Sequence, residues 1–175
     1  MRSVTAATAA ATVAACLATA AAAQDLEFAR LSNAMFGTDV VIDVVNGGEF
    51  GGMLTLAERG NYSGQFWVMR DIGVPGYFAL SSEFTGPDQC LDLWLHGELN
   101  NMPAMNPCTG DASQQWTVME KGDGYAWVHN RHRGGSLCLS FHEGGRLDGL
   151  LALEPCDDDA PEQFWLAEPT GRYAE

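Results

Sequence analysis

The feature that most constrains the fold of this chain is the tripeptide Gln-x-Trp, which occurs three times at equal intervals of 49 residues. The copies are Gln65-Phe66-Trp67, Gln114-Gln115-Trp116 and Gln163-Phe164-Trp165. A self-similar period of this length is typical of a protein built from repeated supersecondary units. The fold must therefore place three equivalent indoles in three equivalent environments.

Other segments recur in the same register. Apolar pairs precede the triplets at Leu54 and Leu56, Met102 and Met105, and Leu151 and Leu153. Each unit carries about four short runs of alternating polarity, separated by turn signals such as Asn46-Gly47-Gly48 and Thr109-Gly110-Asp111. No single unit can bury its Trp alone, so the units are expected to close on a common core. The pattern predicts an all-β domain with pseudo-threefold symmetry and repeats at about 28–76, 77–124 and 125–172.

The charge balance excludes two classes of partner. The chain has 9 basic and 23 acidic side chains, for a formal net charge of -14. Nucleic acid and anionic bilayers repel such a chain, so neither is an expected partner. The apolar content of 46% is sufficient for a packed core and argues against disorder.

The start of the chain is typical of an export signal. Arg2 provides a positive charge, an uncharged Ala-rich run follows, and small residues precede Gln24. We therefore expect a signal peptide over 1–23, a mature domain over 24–175, and a secreted or periplasmic protein without a membrane span. The alternative is a lipobox that ends at Cys16, which would make the protein an outer-membrane lipoprotein with a lipid anchor at that cysteine.

The four cysteines after the signal predict disulfides, because export places them in an oxidising compartment and their number is even. Three pairings are open. Cys90 and Cys108 stand 18 residues apart, as do Cys138 and Cys156, and both members shift by 48 residues. The equal spacing indicates two copies of one local bridge.

The triplicated Gln-x-Trp, preceded by Cys90-Leu91-Asp92 and a second cysteine, resembles the ricin B-type lectin family, whose fold is the β-trefoil. The resemblance covers roughly residues 26–173. It implies that the three indoles pack into the pseudo-threefold core and that the three glutamines brace loops through backbone hydrogen bonds. These residues are Trp67, Trp116, Trp165, Gln65, Gln114 and Gln163. Val41 and Arg59 occupy the cysteine positions of the first repeat, so it should be the least stapled unit.

Sugar sites in this family combine an Asp two residues after the first Cys, an aromatic platform two residues before the second, and a polar residue before the Gln. The carboxylate accepts hydrogen bonds from vicinal hydroxyls, and the flat ring covers the apolar face of a pyranose. Asp43 and Asp92 match the carboxylate, whereas Ser140 does not. The platform and polar positions depart from the pattern, since they carry Ala57, Asn106, Glu154, Gly64, Ser113 and Glu162.

The second repeat is therefore the leading candidate for a sugar site. Asp92 would accept hydroxyl hydrogen bonds with Gln114 behind it. Trp94 or His96 would supply a stacking face, and Asn106 would add a donor. The alternative interpretation is that Asp92 caps a turn and Trp94 packs at the rim of the core.

Metal binding and catalysis have little support in the sequence. His129 and His132 stand three apart among Arg131 and Arg133, a spacing that puts them on opposite faces of a strand, so we interpret this segment as a solvated basic turn. The acidic run 157–159 lacks the alternating ligands of a calcium loop and is expected to be solvated. No catalytic motif accompanies the histidines, so we expect neither an enzyme nor a bound metal or cofactor.

These observations predict an exported, non-catalytic β-trefoil that binds a carbohydrate or glycoconjugate. A second interpretation is a receptor-binding or partner-assembly subunit with a protein partner, because the degenerate sugar positions resemble those of the ricin-like subunits of cytolethal distending toxins. A nuclease subunit that co-purifies would favour this second interpretation. A protease inhibitor on the same fold is a third, for which no turn of the sequence is distinctive.

Overall fold

The predicted all-β architecture is confirmed in the computed structural model of the protein, which describes residues 26–174. The described residues form twelve strands, four in each repeat. The expected signal peptide at 1–23 and the lipid-attachment candidate Cys16 lie outside the described residues. Within 26–174, no helix has the length and apolar character needed to cross a membrane.

The strands follow the same pattern in each repeat. The first repeat contains β1 (Glu27–Asn33), β2 (Gly37–Val44), β3 (Leu54–Glu58) and β4 (Trp67–Asp71). The second contains β5 (Phe78–Ser82), β6 (Gln89–Leu93), β7 (Pro103–Pro107) and β8 (Trp116–Gly122). The third contains β9 (Tyr125–Asn130), β10 (Leu137–Phe141), β11 (Leu151–Pro155) and β12 (Trp165–Tyr173). Short 3-10 turns lie at Ser63–Gln65, Ala112–Gln114, Gly134–Ser136, Gly145–Leu147 and Pro161–Gln163.

Six of the described strands form a closed barrel, in the order β12-β9-β8-β5-β4-β1, with β1 pairing back to β12. All of these pairings are antiparallel. The remaining strands form the hairpins β2–β3, β6–β7 and β10–β11, one from each repeat. Single bridges join the hairpins to one another, at Met53 with Ala104 and at Thr55 with Leu150. Closure pairs each barrel strand on both sides, which removes the exposed edges of an open sheet.

One Trp from each repeat anchors a hairpin to the barrel. Trp67, Trp116 and Trp165 are almost completely buried in one core cluster, which confirms the predicted common core. Each indole N–H donates a hydrogen bond to a carbonyl of the first hairpin strand, at Ile42 (3.2 Å), Leu91 (2.8 Å) and Leu139 (2.8 Å). A buried Trp stabilises a core fully only when its polar N–H is paired, and here the pairing also fixes the hairpin.

The three hairpins share a smaller core of their own. Its buried members are Met53, Met102, Ala104, Leu150 and Ala152. At equivalent positions in the three hairpin loops stand Glu49, Glu98 and Arg146. The Arg146 guanidinium forms ion pairs with both carboxylates, that of Glu98 at 2.7 Å, and lies over the ring of Phe50. One cation of the third repeat therefore compensates two like charges from the other repeats.

The first repeat lacks the disulfide that the other two repeats carry, and an ion pair forms at this position instead. The disulfides predicted from the spacing are present in the described residues as Cys90–Cys108 and Cys138–Cys156. Arg59, at the position of the second cysteine, instead forms an ion pair with Glu168 of β12. The Ser32 hydroxyl donates to the same carboxylate at 3.0 Å. An ion pair thus links the first repeat to the last strand where the other repeats carry a covalent bond.

Replacing both Cys90 and Cys108 by Ala should lower the free energy of unfolding by about 3 kcal/mol, because the bridge restrains a loop in the unfolded chain. The matched double variant of Cys138 and Cys156 should lose a similar amount, since both bridges have a sequence separation of 18. Urea unfolding followed by circular dichroism measures both losses. Unchanged unfolding midpoints would show that the bridges do not contribute to stability.

Arg146→Glu should lower the melting temperature, because it places a third carboxylate beside Glu49 and Glu98. The hydrogen bond with Glu98 and the two negative charges raise the pKa of Arg146, so its stabilising charge is lost only in strong alkali. The decrease in melting temperature should become smaller as the salt concentration rises from about 0.01 M to about 1 M, because screening weakens the repulsion between the carboxylates. Arg146→Met is the neutral control in thermal unfolding. Equal melting temperatures of the two variants at low salt would refute the proposed repulsion.

Candidate functional site

The Gln of each Gln-x-Trp braces a loop, and Gln114 shows the arrangement in the second repeat. Its Oε1 accepts hydrogen bonds from the backbone N–H of Thr109 at 2.7 Å and of Gly110 at 3.2 Å. Its Nε2 donates to the carbonyl of Pro107 at 2.9 Å and to Asp92 Oδ2 at 3.1 Å. The amide is buried and fully used, so its position is fixed by the loop that it braces.

The other two repeats repeat this bracing. Gln65 Oε1 accepts from the Gly60 N–H, and its Nε2 donates to the Glu58 carbonyl and, at 3.0 Å, to Asp43 Oδ2. Gln163 Oε1 accepts from the Asp157 N–H, and its Nε2 donates to the Pro155 carbonyl. The repeats differ in one respect: the bracing Gln also donates to an Asp carboxylate in the first two repeats, and the third repeat has Ser140 at that position. The backbone part of the bracing, implied by the family resemblance, is thus present in all three.

The carboxylates of Asp92 and Asp43 are held in the same orientation. Asp92 Oδ1 accepts from the N–H of Leu93 at 2.8 Å, and Asp43 Oδ1 accepts from the N–H of Val44 at 2.7 Å. In both cases Oδ2 accepts from the bracing Gln. A carboxylate offers about four acceptor positions, so each Asp retains capacity for further donors. Both side chains are half-buried, which leaves them accessible to a ligand hydroxyl.

The third repeat has a different group at this position. Ser140 is buried and carries no carboxylate. Glu154 is exposed on the neighbouring strand, where the family places its aromatic platform, and Glu162 is half-buried just before Gln163. The described residues therefore provide an Asp–Gln pair in two of the three repeats.

Asn106 joins Asp92 and Gln114 in the second repeat, since its Nδ2 lies 3.5 Å from Asp92 Oδ2. Trp94 follows in the hairpin loop. Its backbone N–H donates to the Met102 carbonyl, and its backbone carbonyl accepts from the Asn101 N–H. The indole itself is 46% exposed, so the backbone is fixed while the ring faces solvent. His96 is exposed in the same loop. The Asp92 carboxylate thus contacts both Asn106 and Gln114, and the two predicted aromatic residues are exposed in the loop that follows β6.

A pocket of about 380 Å³ opens at Asp43 in the first repeat. Two aromatic side chains line it, Tyr62 with 65% of its surface exposed and Phe84 with 42%. Asn46 and Asn61 add amide groups to the same wall. The pocket therefore combines a fixed carboxylate, two accessible rings and hydrogen-bonding amides.

Tyr62 and Phe84 were not among the residues predicted from the sequence. Tyr62 lies immediately before the 3-10 turn that contains Gln65, and this is not the family's platform position. In the sequence, the only sign of a ring at this site was the single aromatic residue within Gly60-Asn61-Tyr62-Ser63. Phe84 belongs to the second repeat, and its N–H donates to the carbonyl of Ser63. Only the tertiary structure brings it to the first-repeat pocket.

Steric crowding explains why position 64 carries Gly, although the family pattern has a polar residue there. A Cβ at this position would overlap Asp43 Oδ1. The missing side chain thus allows the carboxylate to lie against the turn and accept from the Val44 N–H. The second repeat accommodates Ser113 at the equivalent position.

The interpretation of residues 129–133 as a solvated basic turn is wrong for His129, which is only 3% exposed. Its Nδ1 lies 3.0 Å from the Leu137 carbonyl oxygen and within 3.9 Å of both sulfurs of the Cys138–Cys156 bridge. The strand carries its side chain into the interior, whereas His132 lies in the following turn and is exposed. The three groups are close enough for a metal, but both sulfurs belong to the disulfide.

The acidic run that follows Cys156 is exposed, as expected. Asp157 Oδ1 accepts from the Asp159 N–H at 2.9 Å, and Asp158 forms an ion pair with Lys121. These contacts are local to the loop and to one neighbouring strand.

The sequence profile of the ricin-type beta-trefoil lectin domain matches residues 27–165 of this chain. The match includes all three Gln-x-Trp triplets and both disulfides. A comparison with curated proteins finds no match.

Similar solved structures include natural and designed proteins. ThreeFoil, a designed 3-fold symmetric protein, has a TM-score of 0.66 at 22% identity, over 82% of this chain and 99% of its own. The cytolethal distending toxin of Haemophilus ducreyi has a TM-score of 0.64 at 15% identity, over 82% and 83%. An exo-beta-1,3-galactanase of Clostridium thermocellum has a TM-score of 0.67 at 22% identity, over 84% of this chain and 31% of its own. At these identities the likeness shows the fold alone.

Proposed function

Because this chain belongs to the ricin-type β-trefoil lectin family, we propose that it is a non-catalytic carbohydrate-binding module with sugar sites at Asp92 and Asp43. The observation that carries the proposal is the Asp–Gln pair of the first two repeats. In each pair a buried amide and a backbone N–H orient one carboxylate, and its remaining acceptor capacity suits a sugar hydroxyl.

The two sites differ in the surface that would cover the apolar face of the sugar. In the second repeat this is the exposed indole of Trp94, with Asn106 as a donor. In the first repeat Tyr62 and Phe84 provide two rings beside Asp43. Stacking of a ring against C–H groups combines with the directional hydroxyl bonds to give selectivity for a pyranose. Both sites are shallow, so each should bind a monosaccharide with a dissociation constant on the order of 1 mM.

The arrangement suits binding rather than hydrolysis. Glycoside hydrolysis usually requires two carboxyl groups that flank the scissile bond, whereas each proposed site is built around one Asp that accepts hydrogen bonds in a fixed network. Export to the periplasm or the medium is part of the proposal. The two disulfides support it, because such bonds persist in oxidising compartments.

Neutral monosaccharides, with galactose, glucose and N-acetylgalactosamine as the first set, should change the Trp fluorescence of the oxidised protein. Asp92→Ala and Asp43→Ala should each weaken binding about tenfold at the repeat concerned, because a charge-assisted hydrogen bond is lost. Asp39→Ala, which removes an exposed carboxylate from the same strand as Asp43, is the matched control and should bind like the wild type. A glycan array without any bound sugar, or unchanged binding in the Asp43 and Asp92 double variant, would overturn the proposal.

A second candidate function is assembly with a protein partner as a receptor-binding subunit. Met35 and Phe36 in the β1–β2 turn support it, since 46% and 44% of these apolar side chains are exposed side by side. Phe36 packs against Phe141 of the third repeat, which fixes the ring on the surface. Exposed apolar side chains in a fixed position can serve as anchors for a protein partner.

If this second function is correct, the protein purified from its source should elute with a nuclease subunit in size-exclusion chromatography. Phe36→Ser should abolish the co-elution, because the apolar contact is lost, whereas Tyr173→Ser on the exposed end of β12 should not. Elution as a monomer, or a complex that survives Phe36→Ser, would exclude this assembly surface.

A further inference from the structure

The barrel encloses a cavity of about 200 Å³ whose walls come from all three repeats. The equivalent residues Leu31, Leu80 and Val128 line it, together with the indoles of Trp67 and Trp165. None of the residues proposed to bind sugar lines this cavity. It is therefore a separate feature of the fold.

The cavity arises from a departure from threefold symmetry. Equivalent barrel positions carry Met69, Val118 and Ala167 in the three fourth strands. In the first strands of the second and third repeats, Phe78 is matched by Ala126. Ala126 and Ala167 lie on the neighbouring strands β9 and β12, which pair with each other at Trp165 and Ala126. Only the third repeat has Ala at both positions, since the first repeat has Ala29 with Met69 and the second has Phe78 with Val118. The close packing of an ordinary interior is therefore interrupted on the side of the third repeat.

The entrance is apolar with one negative charge. Met69 and Val118 line the cavity, and 46% of each side chain is exposed, so the cavity reaches the surface between them. Glu120 stands at the rim on β8, two residues beyond Val118 on the same face of the strand. The whole chain carries a net charge of -14, which adds to the repulsion of an anion at this entrance.

From this geometry we propose that the barrel cavity is a binding site for a small apolar molecule with a neutral or cationic head group. Its alkyl chain or ring enters the barrel and contacts Trp67 and Trp165, and its head group remains at the entrance beside Glu120. An apolar cavity of about 150 Å³ is known to accept a benzene-sized ligand, so this volume suits a ring or a short chain. The site is independent of the proposed sugar binding.

Titration with 1-alkanols of increasing length tests the site by calorimetry and Trp fluorescence. The affinity should rise about fourfold per methylene, because each methylene leaves water, and should stop rising once the chain fills the cavity. Octanol and octylamine should bind, and octanoate should bind at least about tenfold more weakly because of Glu120 and the net charge. Glu120→Gln should reduce this discrimination while octanol binding is unchanged.

Two variants fill the cavity with residues that the other repeats already use. Ala167→Met copies Met69, and Ala126→Phe copies Phe78. Each should abolish octanol binding and leave the melting temperature equal or higher, because it adds apolar contacts in existing space. Ala34→Met in the β1–β2 turn, a half-buried position that does not line the cavity, is the matched control. If Ala126→Phe fails to fold, Ala167→Met alone decides the result.

Three outcomes would overturn the proposal. They are a wild-type protein that binds no alkanol, filled variants that bind like the wild type, and an affinity that keeps rising with chain length as it would on an open surface. Sugar titrations of the same variants should match the wild type. A failure of the cavity proposal is thereby distinguishable from a failure of the sugar proposal.

Discussion

The structure depends on the hydrogen bond that each core indole donates to a hairpin carbonyl. Trp67, Trp116 and Trp165 lie where a barrel strand begins, so burial of the ring closes the barrel while its N–H fixes the hairpin. The Gln two residues earlier is placed by the same turn. The orientation of Asp43 and Asp92 therefore follows from the packing of the core, although both carboxylates lie near the surface.

The departures from threefold symmetry carry most of the chemistry. In the hairpin loops, two glutamates and one arginine compensate one another because the third repeat carries the opposite charge. At the cysteine positions, two repeats carry a disulfide that closes their own hairpin, whereas Arg59 of the first repeat forms an ion pair with the last strand of the third. In the barrel wall, the small residues of the third repeat create a cavity. The symmetric fold thus provides three equivalent positions of each kind. Where one repeat carries a different residue type, that position takes a different role.

The sequence was sufficient for the repeat, the closed all-β fold, the three buried indoles and the disulfide pairing. These features depend on spacing and on residue types with one dominant physical preference, such as a Trp that must be buried or a Cys that must be paired. The site was less accessible to the same reasoning. Asp92, Asn106 and Gln114 were expected together and are in contact, whereas Tyr62 and Phe84 beside Asp43 were missed, because they come from a turn and from the next repeat.

By itself, the sequence determined that three similar units surround a common apolar centre and that two of them retain a carboxylate beside the bracing Gln. Only the tertiary structure decided which side chains from different repeats meet. It paired Arg59 with Glu168, placed Phe84 at the pocket of Asp43, and buried His129 against a disulfide. The physical reason is that periodicity encodes burial within a repeat, while contacts between repeats depend on the closure of the barrel, which brings residues far apart in the chain within a few ångströms.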